Sequence, residues 1–438
     1  MTTTYDPFHP KYFDEVDLRE ELTRVYDLCH GCRLCFKFCT AFPTLFEHID
    51  RHDDQDAARL TPAEQDQVVD ECFNCKLCYV NCPYIPGQSD WNLDFPRLML
   101  RAEQTRVRNG GLSNRDRLQN EVLGRTDLIG AISTGIMAPV ANAAVSSPGS
   151  LPRQLMEKTV GIAAERLLPP FARQRFSTWF KKRSGPEQRT VPETQGQVAL
   201  FPTCLVEYQN PDVGKDLVKV YERNGIECSL PGGQVCCGAP WLHAGEVDRF
   251  VDQGRTNIRV LADAVRGGND IVVPQPTCSY VLKKDYVDYI GGPDAELVAA
   301  HTYDAAEYLW KIHKGDDTAL DTEFPGEIAE QITYHAPCHL RAQNIGYRSR
   351  DLMKLAGAKI SLVAECSAID GTWGYREQNY EMSRKVARKM VDAIEAAGND
   401  TIAGDCHLAN GGILQETGTQ PLHPLQIVAR AYGIPEEP

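Results

Sequence analysis

The sequence predicts a multidomain chain of the α plus α/β class: an all-helical, cysteine-rich head followed by two duplicated α/β cysteine-rich repeats. Three observations support this. Eight of the sixteen cysteines lie between Cys29 and Pro83 in two runs of identical spacing, with helical patterning before and between them. From Val198 onward, short apolar strands alternate with helical stretches, which implies parallel sheet. The order of strands, helices and cysteines over 198–278 then recurs over 332–406.

The head comes first. Cys29-His-Gly-Cys32-Arg-Leu-Cys35-Phe-Lys-Phe-Cys39 and Cys72-Phe-Asn-Cys75-Lys-Leu-Cys78-Tyr-Val-Asn-Cys82-Pro83 both read C-x2-C-x2-C-x3-C. Three thiolates in step wrap a tight loop around one four-iron cube and leave it one ligand short, and the distant fourth cysteine completes the neighbouring cube. The spacing therefore assigns Cys29, Cys32, Cys35 and Cys82 to one 4Fe-4S cluster, and Cys72, Cys75, Cys78 and Cys39 to a second. The competing readings are zinc ribbons, whose C-x2-C knuckles lack a third cysteine in step, and disulfides, which need an oxidising compartment. The first run departs from the pattern at its end, where Thr40 and Ala41 follow Cys39 and proline is delayed to Pro43.

Leu18, Leu22, Val25 and Tyr26 fall on one helical face before the first run. Thr61-Pro62-Ala63-Glu64 is a capping box with proline at the first helical position, so a helix should run from about Pro62 into Cys72. With a helical connector between its runs, the head resembles the all-helical two-cluster ferredoxin of succinate dehydrogenase iron–sulfur subunits more than the compact, strand-rich bacterial form. That resemblance implies two clusters close enough to pass single electrons along.

At 438 residues the chain should form two to four domains. No stretch approaches eighteen uninterrupted apolar residues, so no membrane span is expected. The first fifteen residues are polar and acidic and lack an apolar signal core. A cytoplasmic location follows as the expectation, with thiols kept reduced and available for metal. A net charge of −14 argues against nucleic acid as a partner.

That charge is uneven, because residues 101–190 hold fifteen Arg and Lys against seven Asp and Glu. The same region contains a small-residue apolar stretch, Leu128 to Ser147. From Leu151 to Phe180, Leu155, Met156, Ile162, Leu167, Leu168, Phe171, Phe176, Trp179 and Phe180 then alternate with basic residues, and Lys181, Lys182 and Arg183 close the segment. One reading is an in-plane membrane anchor, with rings in the interface and cations at the headgroups. The other is packing of these side chains onto the flanking domains. Pro169-Pro170 should break the helix, and Ser184 to Gln197 reads as a linker. The expected domains are 1–100 (ferredoxin), 101–195 (basic helical connector, a membrane or partner interface), 196–315 (first repeat) and 316–438 (second, degenerate repeat).

In the first repeat, strand 198–201 leads to Cys204, and strand 226–230 leads through a Pro-Gly-Gly turn to Cys236-Cys237-Gly238. A helix from about Gly245 to Val265 precedes strand 271–273 and Cys278. In the second, strand 332–334 precedes Cys338, strand 360–363 precedes Cys366, and a helix from about Gln378 to Ala397 precedes a short strand and Cys406. Each of these cysteines follows a strand's carboxyl end, the edge where such sheets bind ligands. Cys228 lies inside a strand pattern and reads as a core thiol.

This plan resembles the heterodisulfide-reductase-related iron–sulfur proteins with Cys-Cys-Gly (CCG) domains. In layout it is similar to the C subunit of anaerobic glycerol-3-phosphate dehydrogenase, and it is related to the glycolate oxidase iron–sulfur subunit. The resemblance implies a C…CCG…CxxC site in each repeat, which in the heterodisulfide reductase subunit holds a non-cubane cluster. Here Gln275 stands where the first cysteine of CxxC would be. In the second repeat, Cys366-Ser367-Ala368 replaces CCG and Cys406-His407-Leu408-Ala409 replaces CxxC. Cys204, Cys236, Cys237 and Cys278 could hold a third iron–sulfur cluster or zinc, with a vicinal Cys236–Cys237 disulfide as the alternative. Cys338, Cys366 and Cys406, with His335, His339 and His407 nearby, could hold zinc or stand as an empty vestige.

No G-x-G-x-x-G follows a strand and no G-x4-G-K-[ST] occurs, so nucleotides lack their usual cradle. Gly371-Thr372-Trp373-Gly374 and His243 could line a crevice, though such turns are more often structural. The expected role is an electron-transfer subunit between a flavoprotein or metalloprotein and an acceptor such as quinone, with peripheral contact to the inner face of the cell membrane. The rivals are a catalytic heterodisulfide-reductase-like subunit, a subunit of a glycerol-3-phosphate, glycolate or lactate dehydrogenase complex, and a zinc-bearing scaffold.

Overall fold

The computed structural model describes residues 4–183 and 195–437. Among them, every element before the first strand is helical. Helix α1 (Glu15–Cys32) is capped by Asp14 and buries Leu18, Leu22, Val25 and Tyr26, the face read from the sequence. Helix α2 (Ala41–Asp50) follows, then α3 (Pro62–Asp70), whose Thr61/Glu64 capping box is formed and which stops two residues short of Cys72. Helices α4 (Leu77–Asn81) and α5 (Phe95–Arg108) complete the head. Their apolar faces meet in one core around Phe42, Leu45, Phe95 and Leu98. Cys39, Cys75 and Cys78 are thereby placed at the starts of α2 and α4, where backbone N–H groups are available to sulfur, and Cys29, Cys32 and Cys82 at the ends of α1 and α4.

The connector forms α6 (Asn114–Gly124), α7 (Thr126–Ser133), α8 (Ala138–Val145), α9 (Leu151–Val160) and α10 (Phe176–Lys182). The stretch 161–175 around Pro169-Pro170 is irregular apart from one isolated bridge. Phe176 is buried in the core of the first repeat, and Trp179 and Phe180 pack against the same core. Ile162 is buried as well. Packing onto the flanking domain accounts for these residues, whereas Leu151 and Leu155 stay exposed. No single helix among the described residues is long and apolar enough to cross a membrane; α7 and Gly135–Val145 pass that test only jointly, bent by 78°. Of the expected linker, 184–194 lies outside the described residues, while Gly196 and Gln197 already belong to a strand.

The first repeat is a parallel sheet of β1 (Gly196–Leu200), β2 (Ile226–Ser229), β3 (Asp270–Val273) and β4 (Thr302–Asp304), in the order β2-β1-β3-β4. The second is β5 (Gln331–His335), β6 (Lys359–Val363) and β7 (Thr401–Gly404), in the order β6-β5-β7. Their near-continuous apolar runs suit strands covered on both faces, and the first sheet has a separate core on each side. In both repeats the chain moves to one side of its first strand and then to the other. This creates a switch point between β1 and β3, and another between β5 and β7.

Helices α11 (Thr203–Tyr208), α12 (Pro211–Arg223), α13 (Ala239–His243) and α14 (Val247–Arg266) cover the first sheet together with shorter ones. The helix Pro424–Ala431 at the chain's end also packs in the core containing α12. Cys228 sits in β2 beside that core, and burial pushes its thiol up. Gly254 of α14 is pressed so closely that a Cβ there would lie 2.2 Å from Ile290 Cδ1. Gly254→Val is expected to cost about 1–3 kcal/mol, read as a lower thermal midpoint, whereas Gly411→Ala, which opens into free space, should not lower it.

Candidate metal centres

The two cysteine runs interlace. Cys29, Cys32, Cys35 and Cys82 line one small pocket. Cys39, Cys72, Cys75 and Cys78 line another. In each, three thiols come from one run and the fourth from the other. The loops are wound tightly enough to put Arg33, Asn74 and Lys76 in the left-handed region, at φ 53°, 52° and 63°. Such strain persists only where the surroundings impose it.

Burial, reinforced by neighbouring thiols, pushes Cys35 up to about 12 and Cys29 and Cys78 well above the usual range. Against this, backbone N–H groups point at sulfur. Tyr84 N lies 3.4 Å from Cys82 Sγ, and the amides of Phe42 and Ala41 serve Cys39, that of Asn74 Cys72, and that of Leu77 Cys75. Four neighbouring sulfurs, raised by burial and met by such donors, can ionise together only around a cation. Four converging thiols with backbone amides aimed at sulfur are donor chemistry that fits an iron–sulfur cluster.

The first repeat places its cysteines at the switch point. Cys204 lies in α11 after β1, Cys236 and Cys237 lie in the loop after β2, and Cys278 lies in the helix Pro276–Tyr280 after β3. Cys237 Sγ and Cys278 Sγ are 3.2 Å apart. The Thr126 hydroxyl, from the connector, stands 3.3 Å from Cys204 Sγ and 3.2 Å from Cys236 Sγ. Cys236 is pulled well below the usual thiol range, because Cys204 and Cys237 donate to it and Thr126 and the Gly238 amide assist. Cys204 and Cys237, the donors in those bonds, are raised. All sixteen cysteines are free thiols, so the Cys236–Cys237 pair is hydrogen-bonded and not joined.

Asn257 fixes this loop. Its buried side chain accepts from Val235 N (2.9 Å) and donates to Cys236 O (3.1 Å) and Tyr286 Oη (2.9 Å), while Tyr286 in turn donates to Cys237 O (3.0 Å). Neither Thr126 nor Asn257 was among the residues singled out from the sequence. For Asn257 the signal was available, as an amide within the apolar face of α14 between Gly254 and Ile258.

In the second repeat the thiols and the histidines have separate partners. Cys338 and Cys366 face each other at 3.6 Å, and the Ala368 amide lies 3.3 Å from Cys366 Sγ. His335 turns its Nε2 to Glu365 O. His339 lies 3.4 Å from the Thr277 hydroxyl, 3.5 Å from Asp370 Oδ1, and stacks on His243. His407 lines a separate small cavity with Pro274 and His423. The thiol that does reach Cys338 is Cys75 of the second quartet; Phe73, Leu77, Cys366 and Ala368 enclose the contact.

Cys406 stands apart, 3.2 Å from Gln275 Nε2, and Gln275 Oε1 accepts from His407 N. Gln275 and Cys406 occupy the same position of the two C-x2-C segments, so equivalent positions of the repeats face each other. The Gly371–Gly374 turn is close by. Its Trp373 packs at a tilt against Phe73 and donates to Asp70 O, tying the second repeat to the head. Gly371 and Thr372 also line a large cleft of about 440 Å³, which reaches Cys204, Cys236, Cys237 and Cys278 from beneath the connector. His243 and Thr372 line a second, polar cleft of about 290 Å³ beside Cys72.

Residues 198–283 and 332–409 match the model of the family described as CCG, cysteine-rich domain. The chain is 28% identical over 325 residues to the C subunit of anaerobic glycerol-3-phosphate dehydrogenase of Escherichia coli strain K12, covering 73% of this chain and 79% of that protein. It is 28% identical over 248 residues to the B subunit of the CoM/CoB fumarate reductase of Methanothermobacter marburgensis, covering 54% and 47%. It is also 28% identical over 233 residues to lactate utilization protein A of Shouchella clausii, covering 50% and 92%.

Replacing Asn257 by Leu removes the clamp on the CCG loop and strands the Val235 amide and the Cys236 carbonyl. The expected result is a loss of about 1–3 kcal/mol and faster alkylation of Cys236 and Cys237 by iodoacetamide in the metal-free chain, with the eight head cysteines unchanged as internal reference.

Proposed function

Starting from a second half built of two CCG cysteine-rich domains, we propose that this chain is the iron–sulfur electron-transfer subunit of an oxidoreductase complex. The observation that supports it best is the crossed grouping of eight buried or partly buried cysteines around two pockets, several of them met by a backbone amide. Cys29, Cys32, Cys35 and Cys82 would hold one 4Fe-4S cluster, and Cys72, Cys75, Cys78 and Cys39 the other. Cys204, Cys236, Cys237 and Cys278 would hold a third metal centre. Cys338 and Cys366 would join the second quartet's side of the molecule, with Cys406 at the boundary of the repeats. Clusters bound there supply one-electron carriage.

The chain's own residues do the rest. The amides of Tyr84, Phe42, Asn74 and Leu77 stabilise negative charge on sulfur and so set potential. Phe73, Leu77 and Ala368 keep water from the Cys75–Cys338 contact. Hydrogen bonds from Cys204 and Cys237, with the Thr126 hydroxyl and the Gly238 amide assisting, hold the Cys236 thiol well below the usual range.

The relatives named as subunits of a glycerol-3-phosphate dehydrogenase and a fumarate reductase favour a redox partner protein, flavin- or metal-bearing. The acceptor in this reading is a quinone at the inner face of the cell membrane, which the chain contacts peripherally. A second reading, a catalytic subunit, is favoured by the large cleft reaching Cys236 and Cys237, and turnover of a small oxidant without any partner would select it.

Electron paramagnetic resonance of anaerobically prepared variants tests the assignment. Cys32→Ser and Cys82→Ser should abolish one and the same cluster signal, although they lie in different runs, and Cys39→Ser and Cys72→Ser should abolish the other. Signals that pair within runs would contradict the crossed ligation. Cys237→Ser should remove the third centre and spare both cubes, and simultaneous loss of all signals would refute its separate site.

A further inference from the structure

The connector helices are apolar on two opposite faces. Inward, Ile129, Gly130, Ala141, Ala144, Met156 and Val160 line the 440 Å³ cleft that ends at the cysteines of the first repeat. Outward, Leu128, Ile132, Val140 and Leu155 lie in solvent with Ile136, 95% exposed, and Leu151, 80% exposed. A helix on a globular protein usually shows one apolar stripe; apolar side chains on both faces belong where both sides meet non-polar surroundings. No charged residue occurs from Leu128 to Pro152. Exposed Arg125, Lys158 and Arg173 flank that stretch, the arrangement that meets anionic headgroups.

The cleft's chemistry narrows its ligand. A phosphate or carboxylate substrate would strand its charge among these side chains, since no Lys, Arg or His among the described residues lines the cleft. Polar groups occur next to the cysteines: the Thr126 hydroxyl, and Tyr208 and Gln209 one turn on from Cys204. Gln209 Oε1 is buried without a hydrogen-bond partner, a ready acceptor for a hydroxyl of a ring in its reduced, quinol form. Ample apolar space with one unpaired acceptor beside redox-capable thiols suits a flat ring with a long hydrocarbon tail.

We propose that this cleft binds a lipid-soluble quinone-type molecule, drawn from a bilayer into which the outer faces of α7, α8 and α9 dip. The proposal deepens the electron-transfer reading above and rests on it. Photo-crosslinking of the cluster-loaded chain with a decyl-tailed azidobenzoquinone, followed by peptide mass spectrometry, should label residues 126–160 and 203–209. Ala141→Phe and Ala144→Phe fill the cleft and should each cut labelling by about tenfold or more, with the thermal midpoint and the visible spectrum of the clusters unchanged. The double variant Ile136→Ser/Leu155→Ser should reduce labelling when the probe is presented in anionic phospholipid vesicles and leave it unchanged in detergent.

Label confined to other peptides, or indifferent to both filling substitutions, overturns the site. Equal labelling of the double variant and the parent chain in vesicles overturns entry from the bilayer. Normal clusters without label refute the cleft alone, whereas label in a chain without iron refutes the electron-transfer reading.

Discussion

A buried thiol cannot ionise unaided, and most of this molecule is arranged around that fact. Burial is the main cause that raises most of the cysteines whose acidity is shifted. Adjacent thiolates repel one another in the same low dielectric, so each quartet is costly as an empty site and stable only with a cation inside it. Folding and loading of such sites are then one equilibrium, and ligand binding contributes directly to stability. The left-handed residues Arg33, Asn74, Lys76, Thr203 and Ala368, each within two positions of a motif cysteine, are strain that the loaded site can offset.

The same contacts decide how the parts meet. The head docks on the second repeat through sulfur and aromatic rings, with Cys75 against Cys338 and Phe73 against Trp373. Lys389 reaching Lys37 O and Thr40 beside Met382 extend that interface along the helix Tyr380–Ala397. The first repeat is joined to the second where Gln275 meets Cys406. The connector covers the opposite side, contributing Thr126 to the first repeat's thiols and burying Phe176 beneath α12. Three groups of cysteines thus lie in one continuous body, with the second quartet between the first quartet and the repeats.

Much of this was legible in the sequence, because local rules govern it. The α1 face, the α3 capping box and the strand-then-cysteine order follow from periodicity, side-chain hydrogen bonding and turn chemistry over a few residues. Interlacing of the two runs was legible too, since C-x2-C-x2-C-x3-C leaves one cysteine too far from its own loop. What could not be read were the pairings set by tertiary packing. Nothing within a few residues of His335 or His339 names the partners they take, Glu365 O for the one and Thr277, Asp370 and His243 for the other. The substitution of Gln275 reads in isolation as a lost ligand, and only the approach of the two repeats gives it Cys406 as a partner. The connector combined both outcomes, with Phe176, Trp179 and Phe180 packed inward and Leu151 and Leu155 exposed, because amphipathicity does not say which neighbour an apolar face will find.

The central claim is that the head's eight thiols exist to hold two iron–sulfur cubes. Quantitation of iron, zinc and acid-labile sulfide in chain purified without oxygen tests it most directly. The account predicts about eight irons and as many sulfides per chain for the head, with any excess assigned to the repeats. Colourless protein without labile sulfide, or zinc in place of iron, would contradict it.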